Sequence, residues 1–306
     1  MATRYIVGRV LAIVPVLFIV SIVVSLMVHL TPGDPVKVMM GQSGASAEEI
    51  EQIRVQLGLD QPLPVQYVRF LQDLATGELR SIRTHQPVVQ QYLELFPYTL
   101  QLAVVSLLLA TVIGLLLGVV AATHQNSWLD SFSMAVGFLG VSIPNFWLAL
   151  VLIYVFAVSL NWLPATGADG PKVLILPAAV LAMEQVALIA RLIRANMVEV
   201  LQEDYIKTAR SKGLREQYVQ WGHALRNAML PTITLMGLNF GYLLSGAIIV
   251  ETVFARPGIG RLIVDAILNK DFPVVQGAVL LTATVYLLVN LLTDISYSLV
   301  DPRIRY

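Results

Sequence analysis

Six long apolar segments dominate the chain and set the strongest limit on its fold. Each has roughly the 20 residues that an α-helix needs to cross a hydrocarbon core about 30 Å thick. Asp and Lys are nearly absent from these segments, which lie at about 10–30, 98–123, 132–158, 173–193, 231–255 and 275–299. The sequence therefore predicts an all-α polytopic membrane protein with six transmembrane helices.

Composition and the distribution of basic residues agree with this fold class. Hydrophobic residues make up 57% of the chain and charged residues 13%, whereas soluble domains carry about 25% charged residues. Basic residues mark the cytoplasmic side of short membrane connections. Arg4 and Arg9 precede the first segment, basic residues crowd the 194–230 connection, and Arg303 and Arg305 follow the last segment. We therefore expect both termini and the 194–230 connection in the cytoplasm.

The sequence contains none of the common motifs for nucleotide or metal chemistry. It has no phosphate-cradling G-x-x-x-x-G-K-[ST] loop and no H-E-x-x-H pair, and its four histidines are scattered. Without cysteine, the chain cannot form a disulfide or a thiolate metal site. A formal net charge of zero provides no global basic field for nucleic acid. We therefore expect no cofactor or metal site in this chain and no ATP hydrolysis by it alone. If the protein pumps a substrate, the energy must come from a partner or an ion gradient.

The long connection at 31–97 carries the signals of a small helical subdomain. Ser46 to Glu49 reads as a capping box, and Gly58 and Gly77 fit the ends of two short helices. With both termini inside, this loop lies on the extracytoplasmic side. It serves either as a lid that packs over the outer mouth or as a docking surface for a partner. We accordingly divide the chain into 1–30, the loop 31–97 and a five-span core 98–306.

A short charged stretch, "EDYIKTARSKGLREQ" (203–217), interrupts the apolar pattern. Asp204 fits an N-cap and Gly213 a left-handed stop, which predicts a two-turn helix over 205–212. Helical spacing places Tyr205, Thr208, Ala209 and Lys212 on one face. A helix this short is marginal in water by itself, so a partner surface or tertiary contact must hold it. The stretch is either a docking element or an ordinary solvated loop.

A few polar residues inside the spans are candidates for a translocation pathway, because intramembrane polar groups are costly and often functional. We single out Asn145, Glu184, Asn239 and Asn290. For Glu184 a structural role, with its carboxyl hydrogen-bonded to a neighbouring helix or facing a wet cavity, is an equal alternative.

A stripe of small residues runs along the second span. Ala110, Gly114, Gly118 and Ala122 recur every four residues, and such stripes let helices approach closely in lipid. The stripe favours close packing inside the chain over an interface between subunits.

The 199–230 connection resembles the EAA loop of permease subunits from binding-protein-dependent ABC importers. "DYIKTARSKGL…HALRNAMLP" keeps the loop's glycine at Gly213 and its Leu-Pro pair at 230–231, while Lys207 and Thr208 replace the usual Glu and first Ala. Such departures are typical of the dipeptide/oligopeptide branch. The same branch is indicated by "LTPGDP" (30–35), "LGLDQPL" (57–63), "ETVFARPGIGRL" (251–262), "KDFPVVQG" (270–277) and "DPRIRY" (301–306). The resemblance covers essentially the whole chain; "GELRSIRTHQPV" (77–88) departs from it.

The resemblance implies a type I ABC importer permease fold and a set of partners. These are a second homologous permease, two ATPase subunits that bind ATP and Mg²⁺, and an extracytoplasmic substrate-binding protein, assembled in a bacterial or archaeal cytoplasmic membrane. The docking role then falls on Thr208, Ala209 and Gly213, of which Ala209 and Gly213 match the pattern of the EAA loop. Tyr205, Arg210 and Lys212 are expected to be flanking contacts.

Two other function classes fit the sequence less well. A gradient-driven secondary transporter favours an inverted repeat and paired intramembrane charges, and an intramembrane enzyme requires a nucleophile–base or metal constellation. We see none of these in the sequence. Short peptides are the expected cargo, with glutathione, nickel or oligosaccharides as alternatives.

Overall fold

The computed structural model describes residues 2–30, 33–40, 46–168 and 170–300, and within these ranges the protein is helical with no strand. The helices are α1 (Ala2–Leu30), α2 (Pro35–Met40), α3 (Ala47–Gln56), α4 (Leu63–Thr76), α5 (Val88–Thr123), α6 (Trp128–Ser142), α7 (Asn145–Leu152), α8 (Lys172–Val200), α9 (Asp204–Ser211), α10 (Glu216–Tyr218), α11 (Leu225–Val253), α12 (Ile259–Leu268) and α13 (Phe272–Val300). Two π-helical segments, Ile153–Ser159 and Val219–Ala224, continue α7 and α10.

The six predicted spans map onto four single helices and two bent pairs. Helices α1, α5, α8 and α13 are each long and apolar enough to cross a membrane. The third predicted segment is not one straight span, because α6 and α7 meet at 105°. Proline lacks an N–H and pushes the preceding residue out of the helical region; accordingly Ile143, before Pro144, is extended at φ −94° and ψ 123°. The fifth segment bends by 47° between Leu244 and Ala247.

The chain divides into two compact units by its internal contacts. One comprises Met1–Tyr98 with Pro257–Tyr306, and the other comprises Thr99–Arg256. We call them unit 1 and unit 2. The predicted loop subdomain at 31–97 falls within unit 1, together with the first span and the last two helices.

Unit 1 is built on α1 and α12, both of which pack along α13. A Cβ on Gly277 of α13 would lie 2.7 Å from Val88 Cγ1, so the close approach of α13 to the start of α5 requires glycine here. The side-chain amide of Gln276 donates to the carbonyl oxygens of Val24 and Ser25 at 3.0 and 3.1 Å, which ties α13 to α1.

The first loop folds as its turn residues predict. Ser46 Oγ accepts from Glu49 N–H while the Glu49 carboxylate accepts from Ser46 N–H, which completes the capping box. Gly58 and Gly77 both adopt positive φ, +68° and +77°, at the ends of α3 and α4. The loop also holds one isolated antiparallel bridge, between Arg80 and Pro87.

Unit 2 is built around α8, which packs against both α6 and α11. The small-residue stripe of α5 faces α8: a Cβ on Gly114 would lie 2.8 Å from Ile189 Cβ, and one on Gly118 would lie 2.7 Å from Ile193 Cβ. The stripe therefore packs inside the chain, which confirms the prediction made for it.

Candidate functional site: the α9 knob

The predicted two-turn helix exists as α9, one residue earlier than expected. It covers Asp204–Ser211 and its N-cap is Glu203, with extended φ −66° and ψ 149°. The prediction of Asp204 as N-cap was wrong. Asp204 is the first helical residue, and its carboxylate accepts from Lys207 Nζ at 2.8 Å. Its negative charge still lies at the positive end of the helix dipole.

Gly213 ends α9 in the left-handed conformation predicted for it, with φ +75°. Its N–H donates to the carbonyl of Arg210 at 2.9 Å, and the N–H of Leu214 donates to the carbonyl of Ala209 at 3.4 Å. These two bonds form a Schellman motif, which satisfies carbonyls that a helix end otherwise leaves unpaired. A side chain at 213 would strain the φ angle, although a Cβ there meets nothing within 4 Å.

One face of α9 is buried in the core of unit 2. Ile206 is fully buried and Ala209 is 9% exposed, and both join a cluster with Val219 and Ala224. The prediction that Ala209 shares an outward face with Tyr205, Thr208 and Lys212 was therefore wrong. Residues three apart lie on one side of a helix, so the large apolar Ile206 turns Ala209 inward with it.

The outward face of α9 consists of Lys207, Thr208 and Ser211, with Lys212 beside them, and all four are exposed. The hydroxyls of Thr208 and Ser211 donate to the backbone carbonyls of Asp204 and Lys207, one turn earlier, at 2.9 and 3.0 Å. This leaves a low, small-residue ridge flanked by two lysines. Lys207, which stands where the EAA loop usually has Glu, is 66% exposed and faces outward.

Two side-chain clamps hold α9 against the segment that follows it. Asn227 Nδ2 donates to Tyr205 Oη at 2.6 Å. Arg210 donates to both carboxylate oxygens of Glu216, at 3.1 and 2.7 Å. The hydrogen bonds from Arg210 outweigh the opposing effect of partial burial and lower the pKa of Glu216. Tyr205 and Arg210, which the resemblance implies as flanking contacts, thus also bind their own chain.

The segment behind α9 is irregular in a way that the sequence did not reveal. Helix α9 packs against the π-helical Val219–Ala224, although π-helix accounts for well under 1% of residues in globular proteins. Pro231, the proline of the Leu-Pro pair, lies inside α11. We call α9 with its clamped support, residues 204–228, the α9 knob.

The knob is continuous with α8, and α8 is fixed by an ion pair. Arg194 Nε and Nη2 donate to the two carboxylate oxygens of Asp130 in α6, at 2.6 and 2.7 Å. The Asp130 side chain is only 8% exposed. The Arg194 side chain is itself partly buried, and its partner lies 64 residues away along the chain.

The four candidate pathway residues fall into two groups. Asn145, Glu184 and Asn239 lie on α7, α8 and α11, which pack pairwise within unit 2, and all three are partly buried. Among the described residues no hydrogen bond links the three, and Asn239 Nδ2 is buried without a partner. Asn290 belongs to α13 of unit 1, where its Oδ1 is likewise buried and unpartnered among the described residues.

A buried polar network near the end of α11 was missed as a site, although it lies in the "ETVFARPGIGRL" segment. Arg256 is 1% exposed and Glu251 is fully buried. Arg256 donates to Gln101 Oε1 at 3.0 Å and to the Ala168 carbonyl at 3.4 Å. Thr99 Oγ1 donates to Glu251 at 2.6 Å. The sequence signal for this network was the pair of ionisable residues Glu251 and Arg256 at the end of a long apolar segment.

Two known families together match nearly the whole chain. Residues 114–306 match the family "Binding-protein-dependent transport system inner membrane component", and residues 2–103 match "Binding-prot-dependent transport system membrane comp, N-term". Curated relatives include the "Glutathione transport system permease protein GsiC" of Escherichia coli strain K12 and of Shigella flexneri serotype 5b. Each is 44% identical over 304 residues, covering 99% of both chains.

Solved structures share the fold at low sequence identity. The inward-facing MetNI methionine ABC transporter aligns with a TM-score of 0.61 and 18% identity, over 70% of this chain and 98% of the other. An amino acid ABC transporter aligns with a TM-score of 0.53 and 16% identity. The six-span pattern, the α9 knob and these matches agree: the chain belongs to the binding-protein-dependent ABC importer permeases, in the dipeptide/oligopeptide-type branch, and is a multi-pass inner-membrane subunit with the type I permease fold.

Proposed function

We propose that this chain forms one half of the translocation pathway of an ATP-driven importer and receives the power stroke through the α9 knob. Its partners are a second homologous permease, two cytoplasmic ATPases and an extracytoplasmic substrate-binding protein. ATP and Mg²⁺ bind the ATPases, and this chain binds no cofactor and hydrolyses nothing. The observation that carries the proposal is the construction of α9 as an exposed ridge on a clamped base.

The contacts of the knob suit the transmission of force. An ATPase that binds Thr208, Ser211 and Lys212 moves α9 when it moves. Ile206 and Ala209 move with the helix, and both are packed into the core of unit 2. The clamps at Tyr205 and Arg210 make the helix move with the segment behind it. Packed cores switch between discrete arrangements rather than deform continuously, so a displacement at α9 reaches α8 and α11 as a whole-element movement.

Orientation follows from the same assignment. The α9 knob lies in the cytoplasm with both termini, and the first loop lies outside. The membrane is the cytoplasmic membrane of a bacterium or archaeon. Asn145, Glu184, Asn239 and Asn290 are the proposed polar contacts of the pathway.

Short peptides are the proposed cargo. The GsiC relatives are named for the transport of glutathione, itself a tripeptide, and the branch is of the dipeptide/oligopeptide type. Glutathione is therefore the first specific substrate to test, with nickel or an oligosaccharide as alternatives. An uptake assay with labelled glutathione and a labelled dipeptide, competed against each other, separates these cargoes.

Charge placed on the ridge tests the docking role. We expect Thr208→Arg to abolish copurification of the ATPases while the permease still inserts and retains its thermal midpoint, because residue 208 is exposed and its hydroxyl donates within α9. Gln202→Arg is the matched control, since it adds the same charge at an exposed position just before the α9 knob. Normal ATPase capture by Thr208→Arg would overturn the proposal.

A further inference from the structure

A cavity of about 540 Å³ lies inside unit 1, and most of its lining comes from the first loop. Its walls come from the end of α1, from α2, α3 and α4, from the turn at 79–85 and from the start of α13. Its volume lies within the roughly 300–1,000 Å³ range of small-molecule sites. We call it the first-loop cavity.

The cavity combines an apolar lining with charges of both signs. Apolar surface comes from Val28, Met39, Ile53, Phe70 and Ile82, each on a different element. Binding sites for small molecules are mostly apolar, with a few polar groups that fix orientation. The lining therefore suits a ligand with an apolar body and charged ends.

The charged groups are two arginines and two carboxylates, with two histidines beside them. Arg69 lies 3.7 Å from Asp73, one turn along α4, and Arg80 and Glu78 lie on the following turn. His29 and His85 complete the ionisable lining. Arg80 donates one hydrogen bond, from Nη1 to the His85 carbonyl at 3.0 Å. A guanidinium has five N–H donors, so Arg80 retains donors for a carboxylate.

The scaffold around these charges is fixed before any ligand arrives. Ser81 Oγ donates to the buried Asp271 at 2.5 Å, which anchors the turn to the start of α13. The Gln276 amide is hydrogen-bonded to α1. His29 and Gln66 are hydrogen-bonded to each other at 2.9 Å across α1 and α4. Preorganisation of this kind reduces the ordering cost of binding.

We propose that the first-loop cavity binds a short peptide with free termini and apolar side chains. The peptide carboxylate pairs with Arg80, its ammonium group pairs with Glu78 or Asp73, and its side chains lie on the apolar lining. The proposal rests on the peptide class of cargo proposed above. It assigns the first loop a site for the cargo itself in addition to any contact with a binding protein.

Titration of a dipeptide against the full-length chain, copurified with its partner permease in detergent, tests this directly. Saturation-transfer NMR follows leucyl-leucine, and the N-acetylated, C-amidated form of the same dipeptide serves as the uncharged probe. We expect the wild type to bind leucyl-leucine and to bind the blocked form at least about tenfold more weakly, because charge-assisted hydrogen bonds are lost. Equal binding of the two forms, or no binding of leucyl-leucine at millimolar concentration, would overturn the proposal.

Variants locate the site. Arg80→Gln is expected to weaken leucyl-leucine at least about tenfold. Arg83→Gln is the matched control: it lies in the same turn, carries the same charge and is absent from the lining, with its Nε bonded to the Asn269 carbonyl. Ile82→Trp, which fills the cavity, is expected to abolish binding. Equal losses in Arg80→Gln and Arg83→Gln would contradict a specific site.

Two further outcomes distinguish peptide binding in the first-loop cavity from docking of a binding-protein loop there and from ATPase docking at α9. If Ile82→Trp impairs association with the substrate-binding protein but leaves dipeptide binding intact, the cavity receives a protein loop and the peptide proposal fails. Thr208→Arg, which tests the docking role, should leave dipeptide binding unchanged. Loss of ATPase capture and loss of peptide binding therefore report on the two proposals independently.

Discussion

Helices α1 and α8 are both apolar enough to span a membrane, yet they are used in opposite ways. Within the membrane-length window only 11% of α1 is buried inside the chain, against 72% of α8. Helix α8 carries the knob at its end and packs on α6 and α11, whereas α1 exposes Leu11, Phe18 and Ile19. Two helices that are both apolar enough to cross a membrane therefore differ in their surroundings: α8 is mostly packed inside the chain, whereas most of the surface of α1 is exposed.

The ion pairs of the two helices provide the sharpest test of this contrast. Arg194→Gln should destabilise the protein by about 3 kcal/mol, because it leaves the buried Asp130 carboxylate without its partner. Arg9→Gln, the matched change on α1, should cost under about 1 kcal/mol. Arg9 pairs with Asp294 at 3.1 Å, but its side chain is 49% exposed. Thermal unfolding in detergent measures both, and similar losses would show that the two helices do not differ as described.

Glycine substitutions test the same difference between α8 and α1, because they probe how closely each helix is packed. Gly118→Leu should destabilise by about 2 kcal/mol, because its Cβ would meet Ile193 Cβ and the backbone oxygen of Ala190 at 2.7 and 2.8 Å. Gly8→Leu on α1 should be nearly neutral, since a Cβ there meets nothing within 4 Å. A stable Gly118→Leu protein with an unchanged thermal midpoint would contradict the close packing of α5 on α8.

These contrasts mark how far the sequence could predict the structure. Predictions from local sequence signals were confirmed. The apolar segments correspond to the membrane-length helices or bent helix pairs, Ser46 forms the capping box, and Gly213 ends α9. The features that the sequence did not predict depend on contacts between residues that are far apart along the chain. Whether Ala209 turns inward depends on Ile206 entering a core assembled from other helices, and the partner of Arg194 lies 64 residues away. The 105° turn at Pro144 had a local signal, but its size is set by packing.

The α9 clamp at Tyr205 is expected to have a smaller effect than either helix contrast. Tyr205→Phe removes the hydrogen bond from Asn227 and keeps the ring, which should cost about 1 kcal/mol or less at this exposed position. Its functional effect should exceed its effect on stability, because we propose that α9 transmits movement and a looser helix would transmit less of it. We expect coupled transport per ATP hydrolysed to fall while the thermal midpoint shifts little. Tyr218→Phe, at an exposed tyrosine of α10, is the control.

The second clamp predicts a small pH dependence with a defined sign. The pKa of Glu216 is lowered below its usual value of 4.5 by the Arg210 hydrogen bonds, so the stabilising effect is present above that pH. The stabilisation is lost as the pH falls through the lowered pKa, because Glu216 then binds a proton in the folded state as well as in the unfolded state. Both side chains are about half exposed, which limits the effect to about 0.5 kcal/mol. The difference in thermal midpoint between wild type and Glu216→Gln should therefore shrink as the pH is lowered below 4.5. If the difference stays constant below that pH, the ion pair between Arg210 and Glu216 does not stabilise α9 in solution.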